Sequence, residues 1–176
     1  MGAAVSALAF PVPPKELGQS ALLQRGVGGQ GHQQHQQQQL VYLTTRSSGH
    51  RIPSIHIVRP HHHNRHTIIY SHGNAEDVGL SLPYLDYLSE HCDCNVLAYE
   101  YCGYSVAEGE PSERNCYECI RAAYDYLTGI ETSVSSTVAK RPVDPSQIVL
   151  FGRSLGTGEQ PTGFGRRTWE EGGGVP

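Results

Sequence analysis

Ile148-Val149-Leu150-Phe151-Gly152-Arg153-Ser154-Leu155-Gly156 is an apolar, β-prone run that ends in Gly-x-Ser-x-Gly. It reads as a buried strand feeding a sharp turn with a serine at its tip. In such a nucleophile elbow the serine is held in a strained conformation between strand and helix, so the positions two before and two after it must lack side-chain bulk. Gly152 and Gly156 meet that requirement.

Upstream, Thr67-Ile68-Ile69-Tyr70-Ser71 is a short apolar strand that runs straight into His72-Gly73-Asn74-Ala75-Glu76-Asp77. A strand followed by His-Gly is where acyl-transfer chemistry needs backbone amides free to point at a developing oxyanion, and Gly73 permits the close backbone approach. The plainer alternative is a strand-to-helix turn with Asp77 near the helix start. Ser81 is read as the cap of a helix whose first turn tolerates Pro83 and whose Leu85 and Leu88 share a face.

Asn95 to Tyr101 is the next strand, followed by a turn-rich link from Cys102 to Glu113. Ser112 is the expected cap of a helix on which Cys116, Ile120, Ala123 and Leu127 recur at helical spacing. Ahead of all this, Leu40–Thr45 and Ile52–Arg59 are β-rich runs around Arg46-Ser47-Ser48-Gly49-His50, a hairpin pattern. Alternating strands and helices after a hairpin give an α/β protein with a mostly parallel sheet.

The 176 residues suffice for one domain with a real core, and 38% hydrophobic with 17% charged residues fits a globular protein carrying polar additions. A net charge of −4 without blocks of like charge gives no reason to expect a nucleic-acid partner. The odd count of five cysteines, with no convincing secretory leader, favours a reducing compartment. Cys116-x-x-Cys119 lies inside the last predicted helix, where packing is the expected role, and His61 to His66 is a loop whose adjacent side chains diverge, so no metal site and no cofactor are expected.

Residues 11–39, rich in proline, glycine and then glutamine and histidine, cannot bury enough apolar surface to fold. They are read as a disordered segment, with a disordered interaction tract as the weakest functional reading of the chain. Met1-Gly2-Ala3-Ala4-Val5-Ser6 fits the N-myristoylation pattern with Gly2 as acceptor; an ordinary small-residue N-terminus fits as well. The domain plan is thus 1–39 disordered, 40–158 a partial α/β domain, and 159–176 a glycine-rich divergent tail.

Tyr70 to Asp77, Tyr99 to Ser105, Gly109 to Glu113 and Gly152 to Gly158 together resemble the α/β-hydrolase-domain proteins that remove palmitate from cytosolic, membrane-attached proteins. Bem46 and serine aminopeptidase-type hydrolases share much of the pattern. The resemblance implies the N-terminal half of an α/β-hydrolase fold, C-terminally truncated, with Ser154 as nucleophile and the backbone amides of Asn74 and Leu155 as oxyanion hole. It also implies an acylated (palmitoylated) protein or a small ester or thioester as substrate. A cytoplasmic location follows, peripheral at a membrane if Gly2 carries a lipid.

The family order is nucleophile, acid, histidine, yet no histidine follows His91. The acid and base are therefore expected to be missing from this chain, which makes it inactive or a fragment as written. The alternative is a non-catalytic, membrane-tethered binding or regulatory module. Residues 131–143 look like an insertion, and the strand at Ile148 is expected to form an open sheet edge.

Overall fold

The computed structural model describes residues 37–59, 66–130 and 142–157. Gly2, the histidines His32, His35, His61, His62 and His63, most of the 131–143 insertion and the glycine-rich tail lie outside the described residues.

Among the described residues five strands form one sheet in the order β1-β2-β4-β3-β5. Strands β1 (Gln37–Thr44) and β2 (Arg51–Val58) make the antiparallel hairpin, from Gln37 opposite Val58 to Thr44 opposite Arg51. Gln37, Gln38 and Gln39 thus extend the first strand beyond the Leu40 start expected from composition. Pairing with the apolar β2 supplies partners for a backbone whose own side chains would not have ordered it.

Strand β2 pairs antiparallel with β4 (Asn95–Tyr99), and β3 (Thr67–Ser71) lies parallel to both β4 and β5 (Ile148–Gly152). The hairpin-then-parallel plan is as the sequence pattern implied. Among the described residues β5 has no strand on its outer side, and Val149 and Phe151 are exposed.

Alternation along the strands divides the core between the two faces of the sheet. Ile69, Leu97 and Tyr99 face helix α2 (Glu113–Thr128), packing with its Cys116, Cys119, Ile120, Ala123 and Leu127. Ile68, Tyr70, Val96 and Ala98 face the other way, onto Val78, Leu82, Leu85 and Leu88 of helix α1 (Val78–His91). All five residues of β3 are buried, which its continuous apolar run requires. Each such Ile, Leu or Val contributes about 1.5–3 kcal/mol by leaving water.

Helix α2 begins as read: the Ser112 side chain accepts from the Asn115 amide at 3.2 Å, and Gly129 closes it in the left-handed region. Helix α1 begins a turn earlier than expected. Its cap is Asp77, whose side chain accepts from the Leu80 amide at 2.8 Å, so Ser81 is not the cap and Pro83 sits inside the helix. The Ser81 hydroxyl instead donates to the Asp77 carbonyl at 3.0 Å, the back-bonding typical of serine within a helix.

Candidate active site

The parallel pairing of β3 with β5 brings the two sequence motifs together. Ser71, last in β3, is the register partner of Gly152, last in β5. The Arg153 amide then donates to the Ser71 carbonyl at 3.0 Å. Asn74 lies three residues past Ser71 and Ser154 two past Gly152, so both leave the same end of adjacent strands, the C-terminal edge where open α/β sheets place their sites.

Ser154 is exposed and has φ +52, a left-handed conformation that costs a non-glycine residue on the order of 1–3 kcal/mol. It opens a short 3₁₀ turn, Ser154–Thr157, in which the Gly156 amide donates to the Arg153 carbonyl at 3.0 Å. The two flanking glycines are required by contact. A Cβ on Gly152 would stand 2.1 Å from the Gly156 carbonyl oxygen, and a Cβ on Gly156 would stand 2.4 Å from the Ser71 carbonyl oxygen. Turn and strand therefore meet backbone to backbone, and the serine is pushed out at the tip.

The His-Gly-Asn turn is fixed from two sides. On one side, Arg153 Nη1 pairs with Glu76 Oε1 at 2.7 Å, while Glu76 Oε2 accepts from the Gly73 amide at 3.2 Å. The elbow and the turn thus share a carboxylate. On the other side, the Tyr99-Glu100-Tyr101 run and Tyr104 hold successive positions. The Ser71 and Tyr99 hydroxyls share a 2.6 Å hydrogen bond, the Tyr101 hydroxyl donates to the His72 carbonyl at 2.8 Å, and the Tyr104 hydroxyl donates to Asn74 Oδ1 at 2.8 Å.

His72 is fully buried, with Nε2 2.8 Å from Glu100 Oε1 and Nδ1 2.9 Å from the Gly73 carbonyl. A carbonyl only accepts, so Nδ1 carries a proton; the Nε2 contact then holds a second proton shared with the Glu100 carboxyl. Glu100, equally buried, also accepts from the Val78 amide at 3.1 Å and from the Tyr101 amide at 3.1 Å. One carboxyl group therefore ties β4, the turn and the first residue of α1 together. With both ring nitrogens committed, His72 is not placed to act as a base toward Ser154.

The sequence reading singled out Ser154, Leu155 and Asn74, and the structure gathers them at one sheet edge. It gave no role to Glu100, Tyr101 and Tyr104. The available signal was a carboxylate directly after an apolar strand, Ala98-Tyr99-Glu100-Tyr101, where burial demands partners. His66, the described member of the loop histidines, is exposed beside Thr67, at the opposite end of β3 from the elbow. Among the described residues no cluster of three His, Cys, Asp or Glu side chains is arranged to hold a metal ion.

A five-stranded mixed sheet with helices on both faces and a strained serine turn at the end of β5 defines the α/β-hydrolase fold. Solved structures agree on that fold: an α/β hydrolase from Vibrio vulnificus superposes with a TM-score of 0.55 at 21% identity, covering 81% of this chain and 44% of that one. Acetyl xylan esterase 1 from Thermoanaerobacterium sp. gives a TM-score of 0.51 at 20% identity, covering 84% and 53%.

No family model matches the chain. Its curated relatives are α/β hydrolase domain-containing proteins: aho-3 of Caenorhabditis elegans is 37% identical over 101 residues, 57% of this chain and 27% of that protein. Human protein 17C is 37% identical over 94 residues, and human protein 17B is 31% identical over 116 residues. The chain spans 26% and 36% of the length of these two human proteins.

Proposed function

We propose that these residues carry the nucleophile and oxyanion hole of a serine hydrolase of the acyl-protein thioesterase (depalmitoylase) kind. Ser154 Oγ attacks the acyl carbonyl, and the backbone amides of Leu155 and Asn74 stabilise the negative charge that develops on its oxygen. Water then hydrolyses the acyl-enzyme. The observation that carries this reading is the left-handed Ser154 between two glycines that tolerate no Cβ, docked on the strand that ends in His-Gly-Asn.

Serine at its ordinary acidity is a poor nucleophile without a base, and no histidine follows His91. The acid and histidine of the triad are accordingly assigned to sequence outside these 176 residues, and the chain alone is assigned little turnover. Substrate preference for acylated proteins rests on the combined resemblance of the four motifs, and membrane attachment on the Gly2 pattern alone. The test is hydrolysis of an acyl thioester by the product of the complete transcript, with and without Ser154→Ala. Turnover that needs both Ser154 and a later histidine supports the reading; turnover indifferent to Ser154→Ala opposes it.

The commitment of both His72 nitrogens to Gly73 and Glu100 favours, for the 176-residue chain itself, a second reading as a non-catalytic binding or regulatory module tethered at a membrane. Recovery of a specific partner by the chain, without thioester turnover, supports it.

A further inference from the structure

The cysteines pair differently in space from how they pair in sequence. Cys116 and Cys119 stand one turn apart on α2, but the sulfur that Cys119 meets is that of Cys102, at 3.4 Å across the helix-to-loop contact. Both side chains are buried, Cys102 at 1% and Cys119 at 0% exposure, whereas Cys92 is exposed. Cys102 is the first residue after Tyr101, within the segment whose Tyr101 and Tyr104 hydroxyls hold His72 and Asn74. Its neighbour Gly103, at φ +80, admits no side chain, since a Cβ there would stand 2.5 Å from Pro111 Cδ.

The two thiols are inequivalent. The hydrogen bond with Cys119 draws the Cys102 thiol below its ordinary value, while burial pushes the Cys119 thiol well above its own. These directions make Cys102, on the loop side of the contact, the more acidic of the two thiols. A thiolate in contact with a second thiol is the arrangement that thiol–disulfide exchange uses.

We propose that Cys102 and Cys119 form a thiol-oxidation site at which a low-molecular-weight disulfide converts the pair to an internal cystine, joining the segment after β4 to helix α2. The Cys102 thiolate attacks one sulfur of the small disulfide, whose S–S bond breaks to release one thiolate and leave a mixed disulfide on Cys102. The Cys119 sulfur attacks Cys102 and expels the second small thiolate, which takes up the Cys119 proton as it leaves. The protein loses two electrons, and the small disulfide gains them as two thiols.

Closing a 3.4 Å contact to a bond of about 2.05 Å draws Cys102 toward α2. The movement acts on the segment that carries Tyr101 and Tyr104, whose hydroxyls hold the His-Gly-Asn turn. A consequence for catalysis rests on the reading of Asn74 as an oxyanion donor; the oxidation itself does not.

The full chain is incubated with oxidised glutathione at neutral pH, its remaining thiols are alkylated, and the digest is read by mass spectrometry. The expected result is joint loss of Cys102 and Cys119 from the free-thiol pool as one linked peptide pair, restored by dithiothreitol. The Cys119→Ser variant should instead retain glutathione on Cys102. The site is overturned if both cysteines stay alkylatable while Cys92 takes glutathione, or if linkages scatter among all five cysteines. Neither readout involves hydrolysis, so failure here leaves the Ser154 assignment standing, and failure of that assignment leaves the cystine.

Discussion

Arg153 and Ser71 are joined by a 3.0 Å hydrogen bond from the amide of the first to the carbonyl of the second. It is the last rung between β3 and β5, placed one residue before the elbow serine and one before the His-Gly-Asn turn. Whatever displaces either strand end therefore displaces the other.

Gly156→Ala should destabilise the chain by about 3 kcal/mol or more, because the new Cβ would lie 2.4 Å from the Ser71 carbonyl oxygen and 2.7 Å from Ser71 Cβ. Gly49→Ala is the control, since Gly49 has φ +69 with nothing within 4 Å and so incurs only the left-handed backbone cost of about 1–2 kcal/mol. Urea denaturation of both variants measures the difference. Equal losses would show that the elbow does not press on β3.

Glu100→Gln should lower stability by about 1–3 kcal/mol, the cost of leaving a buried hydrogen-bonding group without its partner. The substitution keeps the shape but takes the carboxylate from His72, Val78 and Tyr101. Urea denaturation measures the change, and a stability unchanged within error would remove Glu100 from its assigned role.

Tyr104→Phe deletes only the hydroxyl that donates to Asn74 Oδ1, so its expected stability cost is about 0.5–1.5 kcal/mol. If the Asn74 amide stabilises an oxyanion, the same change in a complete enzyme lowers kcat more than it alters KM. A change confined to KM would argue against that role.

Stability should fall on acidification through His56. Burial lowers its pKa from 6.5 to about 4, with Nδ1 3.1 Å from the Tyr126 hydroxyl. A depressed histidine takes up its proton in the unfolded chain first. Its contribution is therefore fully present above pH 6.5 and is lost as the pH falls toward 4, amounting to about 3 kcal/mol over the window. The His56→Gln variant should show a flatter stability profile over this range. Parallel profiles for parent and variant would contradict the assignment.

Most of the architecture is legible in the periodicity of the chain. The apolar strands at Ile68 and Ile148, the hairpin around Gly49 and the Ser112-capped helix all announce themselves by local pattern and turn chemistry. The start of α1 does not, because Gly79 breaks the apolar period and Ser81 offers a second capping side chain; Asp77 wins by bonding the Leu80 amide.

Ser154, Leu155 and Asn74 can be nominated from motifs, but their adjacency depends on the register of Ser71 with Gly152, a long-range pairing that no local pattern encodes. The support given by Glu100 and the tyrosines is likewise hidden. Contacts across 28 to 30 residues, such as those of His72 with Glu100 and of Asn74 with Tyr104, depend on how β4 lies beside β3. The Cys102–Cys119 contact is obscured in the sequence by the nearer Cys116, which shares a helix with Cys119.

The most direct measurement is the rate of acyl-thioester hydrolysis by the protein expressed from the complete transcript, compared with its Ser154→Ala variant at matched folding. The expected result is a loss in kcat/KM of at least about a thousand-fold, the scale of removing a nucleophile that works with its base as one unit. Turnover within a few-fold of the parent would contradict it and would remove Ser154 from the chemistry.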